Sequence, residues 1–368
     1  MTCRPKIAIS LGDPCGIGPE LLLGSLAVIH SWAEVTVVGA SAGVDLLTDL
    51  PGARVAWRWV EPPREPPATF SGRACGLQVY AIGERPDQIL GEALWLDPTP
   101  DIGVDQLVMG TGSAASGRAT VEAIRVAALM ALDGTADALV TLPMAKSAAH
   151  LAGYPIPGHT EFLRDLSGAS ITRMAFVSPR LNVVLHTVHQ SLRSVVEGLD
   201  ADAVAETLVF STRQFIQLTG KSDLRVALCA LNPHAGEEGA FGGEERLLEA
   251  ALARAEAALR PEPLISPVLT GPWPSDSLFQ RAARGEFDLV VALYHDQGLI
   301  PVKLLEPAKA VNLTLGLPFV RTSPDHGTAF DKAGRWIADG ENFLEATALA
   351  VRLSQETRPS GPAPGAGG

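Results

Sequence analysis

Cysteine is scarce in this sequence, and no two cysteines stand where a motif would pair them. The four are Cys3, Cys15, Cys75 and Cys229, with no C-x-x-C among them. That spacing supports neither a zinc knuckle nor a disulfide frame, so buried, inert thiols in a reducing cytoplasm are expected. Basic residues are also outnumbered. Lys and Arg total 29 against 41 Asp and Glu, a formal net charge of −12 and a pI near 5.2. A nucleic-acid protein would carry a basic footprint, and this chain does not. A local basic pocket for an acidic substrate stays compatible with the totals. No apolar run is long enough to span a membrane. The apolar run after Lys6 stops at Gly12-Asp13, too short for a signal peptide. No internal repeat is visible, and the dinucleotide fingerprint G-x-G-x-x-G is missing from the first glycine-rich loop.

What is present is globular. Of the 368 residues, 46% are apolar and 19% charged, which allows two domains or one large one with a sizeable core. Short apolar runs alternate with helical patterns. Strands are expected at Lys6 to Leu11, Glu34 to Val38, Ala138 to Leu142, Asn182 to His186, Arg225 to Leu231 and Leu289 to Leu293. Helices are expected at Pro19 to Ile29, Ala115 to Leu132, Asp202 to Thr219 (capped by Asp202) and Glu244 to Leu259. The alternation predicts an α/β fold with a mostly parallel sheet. Glu61 to Pro67 reads as a Pro-rich surface loop, and residues 358–368 as a disordered low-complexity tail.

Five places could carry chemistry, and each also has a bland reading. The loop Gly12 to Glu20 (GDPCGIGPE) lies between a strand and a helix, and is a tight turn or an anion-binding loop with equal force. In Pro157 to Glu161 (PGHTE), Thr160 suits the cap of a helix from Glu161 to Leu166, and with His159 it suits a phosphate or carboxylate. His189, His234 and His295 occupy three separate loops, each just past a predicted strand. Open α/β sheets place ligands there, and three imidazoles suit a catalytic divalent ion. From spacing alone, three unrelated structural histidines is the safer reading; His186 reads as structural, and His30 and His150 as incidental. Lys303 and Arg321 follow apolar runs, with Asn312 between them. An anionic ligand or internal salt bridges would account for such cations. Finally, Asp325 to Gly334 (DHGTAFDKAG) is a polar connection or an adenosine cradle with Asp331 on a ribose hydroxyl.

Taken in order, GDPCGIGPE, PGHTEF, LNPHAGEEGAFGGEE, GPWPSDSLFQ, YHDQGLIPVK and VNLTLGLPFVRTSPDHGTA resemble the 4-hydroxythreonine-4-phosphate dehydrogenase family of pyridoxal-phosphate biosynthesis. The resemblance runs from Lys6 to about Gly334. It implies two α/β domains arranged like isocitrate and isopropylmalate dehydrogenases, with the active site in the cleft between them. The first unit would comprise residues 1–143 and 300–357, the second 144–299. It implies a divalent metal on His189, His234 and His295: zinc, or cobalt, manganese or magnesium. Substrate contacts carry over to His159, Thr160, Lys303, Asn312 and Arg321. HGTAFDKAG resembles the adenosine loop of those dehydrogenases, so Gly327, Thr328, Ala329, Asp331 and Gly334 would hold NAD. Asp276 and His159 are the candidate proton-transfer groups. The implied assembly is a homodimer with sites built from both subunits. The implied reaction is oxidation of 4-phosphooxy-L-threonine to a β-keto acid that loses carbon dioxide. Relatives in the superfamily oxidise erythronate or threonate 4-phosphates or aromatic cis-dihydrodiols. This chain departs from the pattern at Cys15, usually a small residue; at Gln190-Ser191, usually Leu-Pro; and at Gly334-Arg335-Trp336, usually Gly-basic-Gly.

Overall fold

The structure, a computed structural model, describes residues 4–48, 50–82 and 88–356. The expected tail, 358–368, and Cys3 lie outside the described residues.

One thirteen-stranded sheet organises the chain. Its strands are β1 (Lys6–Ser10), β2 (Glu34–Val38), β3 (Val55–Val60), β4 (Arg73–Ala81), β5 (Ile89–Asp97), β6 (Ala138–Thr141), β7 (Arg173–Val177), β8 (Asn182–Leu185), β9 (Arg225–Cys229), β10 (Val268–Trp273), β11 (Leu289–Ala292), β12 (Val311–Leu315) and β13 (Val320–Pro324). The spatial order is β10-β9-β11-β8-β7-β12-β13-β6-β1-β2-β5-β4-β3. The strands read from sequence, β1, β2, β6, β8, β9 and β11, are short apolar runs, and nearly all their side chains are buried. Such runs are what a sheet covered by helices on both faces demands. β12 departs from the parallel plan. It runs antiparallel to both β7 and β13, while β13 runs parallel to β6. The β12–β13 pair therefore joins the β7 side of the sheet to the β6 side.

Helix limits differ from the sequence reading by small amounts with local causes. The first helix runs Gly18–Trp32, with Pro19 in its first turn, where a missing N–H costs nothing. The helix Ala201–Thr219 is capped by Asp200 rather than Asp202, because the Asp200 carboxylate accepts from the amides of residues 202 and 203. Thr160 does not cap either. That helix is His159–Ser167, its N-cap is Gly158, and no side chain caps it. His295 lies not in a loop but at the start of the helix His295–Leu305, which also carries Lys303.

Gly12 shows why the first loop needs glycine. Its φ is +73°, and a Cβ there would lie 2.3 Å from the Pro143 carbonyl oxygen. The loop after β1 is thereby pressed onto the chain leaving β6.

Candidate active site

A cleft of about 390 Å³ opens at the carboxyl ends of β6 and β8, beside the β12–β13 pair. His159, Thr160, His189, His295, Lys303, Asn312, Arg321 and Gly327 all line it. Residues 159 and 321 are separated by most of the second half of the chain, yet the fold brings their side chains to one wall.

Arg321 is the most informative group. Its relative exposure is 2%. The guanidinium donates to the hydroxyls of Thr314 at 2.9 Å and Thr141 at 2.5 Å. Its Nε has no partner, and among the described residues no carboxylate stands within 4 Å of it. Burial pulls its pKa down to about 10, and the more distant Glu161 offsets part of that. A buried cation without a counter-ion is costly unless a ligand supplies the charge.

The neighbouring orphans repeat the message. Asn312 Oδ1, His159 Nε2 and His326 Nε2 are buried and have no hydrogen-bond partner among the described residues. Desolvation, with Arg321 and Lys146 nearby, holds the His159 pKa well below its usual value, so the ring is neutral. Its other nitrogen faces the Leu142 carbonyl. Nδ1 therefore carries the proton, and Nε2 is left as an acceptor. A fitting ligand brings an anion for Arg321 and a hydroxyl or ammonium donor for His159. Because Thr160 caps nothing, its hydroxyl is free for the same ligand.

Lys303 is less available than its sequence position indicates. Its Nζ lies 3.0 Å from Asp325. Burial raises the Asp325 pKa, and the Lys303 hydrogen bond and charge oppose that rise.

Of the three histidines, two meet. The rings of His189 and His295 lie 5.9 Å apart. The His189 pKa is lowered by desolvation first and then by Lys146 and His295, which leaves a nitrogen lone pair free to ligate. Nδ1 of His295 is 2.7 Å from Asp296, the kind of contact that fixes a ligand's ring. His234 does not line the cleft. Among the described residues, no group of three His, Cys, Asp or Glu in one chain could hold a metal. His234 is exposed, on a turn where residues 234–238 all have positive φ. Four of these are not glycine, a conformation that persists only when its surroundings impose it. Asn232 imposes it here: its backbone and side-chain amides donate to Glu245 and Glu244 at 2.7 to 3.0 Å. The His234 ring sits 6.2 Å from Phe241, itself 51% exposed. Asp276 is likewise exposed and outside the cleft, in the first turn of the helix Ser275–Ala283.

The loop from Asp325 to Gly334 leaves the cleft and packs on the first glycine-rich loop. The Ile17 amide donates to the Thr328 carbonyl at 3.0 Å. A Cβ on Gly16 would lie 3.0 Å from that same oxygen, so Gly16 permits the approach. Ala329 has φ +43° and Gly334 +76°. Asp331 is exposed, and among the described residues only its backbone carbonyl has a partner, Arg335 Nη1 at 3.3 Å.

Sequence reasoning did not single out Lys146 or Thr141, which also line the cleft, and it gave Glu161, Asp325 and His326 only as members of their motifs, with no role of their own. Lys146 had a signal: it follows the carboxyl end of β6 by a few residues. His186, His30 and His150 each bond within the fold, to Thr207, the Glu92 carbonyl and the Ile156 carbonyl.

A family model described as pyridoxal phosphate biosynthetic protein PdxA matches residues 81–350. The chain belongs to the PdxA family. A 4-hydroxythreonine-4-phosphate dehydrogenase from Desulfosudis oleivorans is 38% identical over 359 residues, covering 95% of this chain and 96% of that one. A D-threonate 4-phosphate dehydrogenase from Cupriavidus necator is 37% identical over 353 residues, covering 95% and 97%. The crystal structure of 4-hydroxythreonine-4-phosphate dehydrogenase from Klebsiella pneumoniae superposes with a TM-score of 0.78 at 34% identity, covering 96% of this chain and all of that one. A terephthalate 1,2-cis-dihydrodiol dehydrogenase from Burkholderia xenovorans shares the fold at a TM-score of 0.59 and 25% identity. The PdxA fold is thus a mixed α/β fold with one large sheet. Among the described residues of this PdxA-family chain, no helix is long and apolar enough to cross a membrane.

Proposed function

We propose that the protein is a cytoplasmic NAD-dependent dehydrogenase that oxidises the secondary hydroxyl of 4-phosphooxy-L-threonine. The β-keto acid formed would lose carbon dioxide to give 3-amino-2-oxopropyl phosphate, on the way to pyridoxal 5′-phosphate. The observation that carries the reading is Arg321, a buried guanidinium with no counter-ion, facing a cleft with free acceptors on His159 and Asn312. A phosphate ester bearing hydroxyl and ammonium groups matches that demand. D-threonate 4-phosphate is the second reading, because the Cupriavidus relative is nearly as similar as the Desulfosudis one. A dihydrodiol has no phosphate to answer Arg321.

In this reading the phosphate is bound by Arg321, Thr160 and Asn312, with Lys303 contributing beside Asp325. Neutral His159 accepts a hydrogen bond from a substrate donor and so fixes its orientation. His189 and His295 would hold a divalent ion, zinc or cobalt, manganese or magnesium. Bound there, the ion would supply Lewis-acid polarisation of the substrate hydroxyl. NAD would accept the hydride, its adenosine half against Gly327, Thr328, Ala329 and Gly334, with the free carboxylate of Asp331 on a ribose hydroxyl. The cleft would lie between two units, 1–143 with 300–357 and 144–299.

One chain offers only two of the three imidazoles at the cleft, so we assign the third to a second copy. Leu192 and Val196 on the helix Leu192–Glu197, just after His189, are 62% and 44% exposed. Ile300 and Leu304 on the helix that starts at His295 are 59% and 77% exposed. This apolar rim beside the two histidines suits a homodimer contact. His234, held outward on its strained turn, and the exposed Asp276 would then serve the second copy's site, Asp276 as the proton acceptor. The test is an assay of 4-phosphooxy-L-threonine, D-threonate 4-phosphate, D-erythronate 4-phosphate and one cis-dihydrodiol with NAD and added divalent metal. NADH formation fastest with 4-phosphooxy-L-threonine is expected. No NADH from any phosphate ester would overturn the reading.

A further inference from the structure

Three cations line the cleft: Lys146, Lys303 and Arg321. They are not equivalent. Arg321 is the buried one. Lys303 is already neutralised by Asp325 at 3.0 Å. Lys146 has no ion pair or hydrogen bond among the described residues. Yet it is not simply waving in solvent. Its Cε and Nζ lie 3.6 and 3.8 Å from the point where a Cβ on Gly158 would stand. The ammonium therefore rests over the residue that precedes His159. Its charge is felt by His159, near the Arg321 end of the cleft, and by His189, at the metal end. Glu161 Oε2 stands 3.1 Å from the same Gly158 point, but among the described residues Lys146 Nζ forms no ion pair with that carboxylate.

We propose that Lys146 recognises the carboxylate of the substrate and so restricts the enzyme to phosphorylated acids. The assignment rests on the phosphorylated-hydroxy-acid reading and refines it. Such a substrate has two anionic ends. The phosphate carries the larger charge, close to two units at neutral pH, and is matched by the buried guanidinium, whose planar fork suits a phosphate oxygen pair. The second anion is a single charge. It needs a cation that is free and can follow it, and a lysine ammonium is a mobile point charge of that kind. Lys303 is held by Asp325, which leaves Lys146. The position also fits the chemistry. The carboxylate stands two bonds from the carbinol carbon, on the side away from the phosphate. Lys146 stands over Gly158, where its charge reaches both His159 and His189.

The experiment compares 4-phosphooxy-L-threonine with its C1 carboxamide, a neutral group of nearly the same shape. Binding of each to the full chain is measured by calorimetry with divalent metal present, so the readout does not depend on turnover. Wild type should bind the acid roughly 10- to 100-fold more tightly than the amide, the usual range for a hydrogen bond between charged groups. Lys146→Met should bring the acid down to the level of the amide and leave the amide unchanged. Lys146→Arg should restore part of the difference. Lys146 is exposed, and an unchanged thermal midpoint for both variants confirms that they fold. If Lys146→Met leaves the acid-to-amide ratio as in wild type, the lysine is a solvated surface charge and the assignment falls. If both ligands weaken equally, it serves the phosphate, and the assignment also falls. If wild type binds neither ligand, the phosphorylated-acid reading itself is wrong and this assignment fails with it.

Discussion

Arg321 on β13 reaches across to Thr141 at the end of β6, Nη2 to hydroxyl at 2.5 Å, and that hydroxyl is neutral. The contact holds the guanidinium in place without discharging it. Replacement should therefore separate binding from stability. Arg321→Met should weaken a phosphorylated substrate or competing inorganic phosphate by about 1.5–3 kcal/mol, the scale of hydrogen bonds to charged groups. The unliganded protein should become more stable, by on the order of 1 kcal/mol or more, as when a buried charge gives way to an apolar side chain of similar volume. Calorimetry and thermal unfolding read the two effects. A destabilised variant with normal phosphate affinity would show that Arg321 is structural.

Thr160 gives the complementary case. Because Gly158 occupies the N-cap, Thr160→Ala should change stability by no more than about 0.5 kcal/mol, as for an ordinary surface substitution. The loss should show in KM for the phosphate ester. A drop in stability near 1 kcal/mol, typical of a lost cap, would restore the capping role.

The proposed sharing of a metal site between two copies predicts complementation. His189→Ala and His234→Ala should each be inactive as homodimers. Mixed and reassociated, they form hybrid dimers in which one site regains all three histidines and the other loses two of them. Equal mixing should recover about a quarter of wild-type activity, since half the dimers are hybrid and half their sites intact. Activity that stays at zero after verified subunit exchange would place His234 elsewhere.

Asp331→Ala should raise KM for NAD while leaving KM for the phosphate ester within about twofold, because the carboxylate lies outside the substrate cleft. Initial rates against both substrates check it. Equal changes in the two constants would argue against a ribose contact.

Asp13 makes stability depend on pH. Burial pushes its carboxyl from 3.8 up to about 6, against hydrogen bonds from the Cys15 amide and the Ser116 hydroxyl. The native state thus holds this proton more tightly than the unfolded chain does. The associated stability is complete below pH 3.8 and is lost as pH rises through about 6. Asp13→Asn removes that loss. The variant should match wild type in urea at pH 4 and exceed it at pH 8, by no more than about 3 kcal/mol. Equal midpoints at pH 8 would show that the charged carboxylate is well solvated in place.

Much of this arrangement is legible in the sequence, for a physical reason. Strands covered on both faces are unbroken apolar runs, so β1, β2, β6, β8, β9 and β11 announce themselves. β12 and β13 do not, because VNLTL carries Asn312 and Thr314 and VRTSP is polar from Arg321 to Ser323, and Asn312 and Arg321 line the cleft. The motif around His159 is readable, but its cap is not: Gly158 and Thr160 both suit the role, and backbone geometry chooses. The pairing of Lys303 with Asp325 depends on a helix meeting a strand end, which spacing cannot report. Lys146 resembles any surface lysine until Gly158 is seen beneath it.

The β12–β13 pair has a consequence for synthesis. Both segments leave the ribosome late, after β6 and β7 have long been made. Until residues 311–324 emerge, β6 and β7 each present an open edge, the kind of surface that recruits foreign strands. A nascent or truncated chain ending near Ala310 would expose both edges at once. It would also lack Asn312 and Arg321, so substrate could not rescue it. Premature termination just before Val311 should accordingly yield aggregates, not a weaker enzyme.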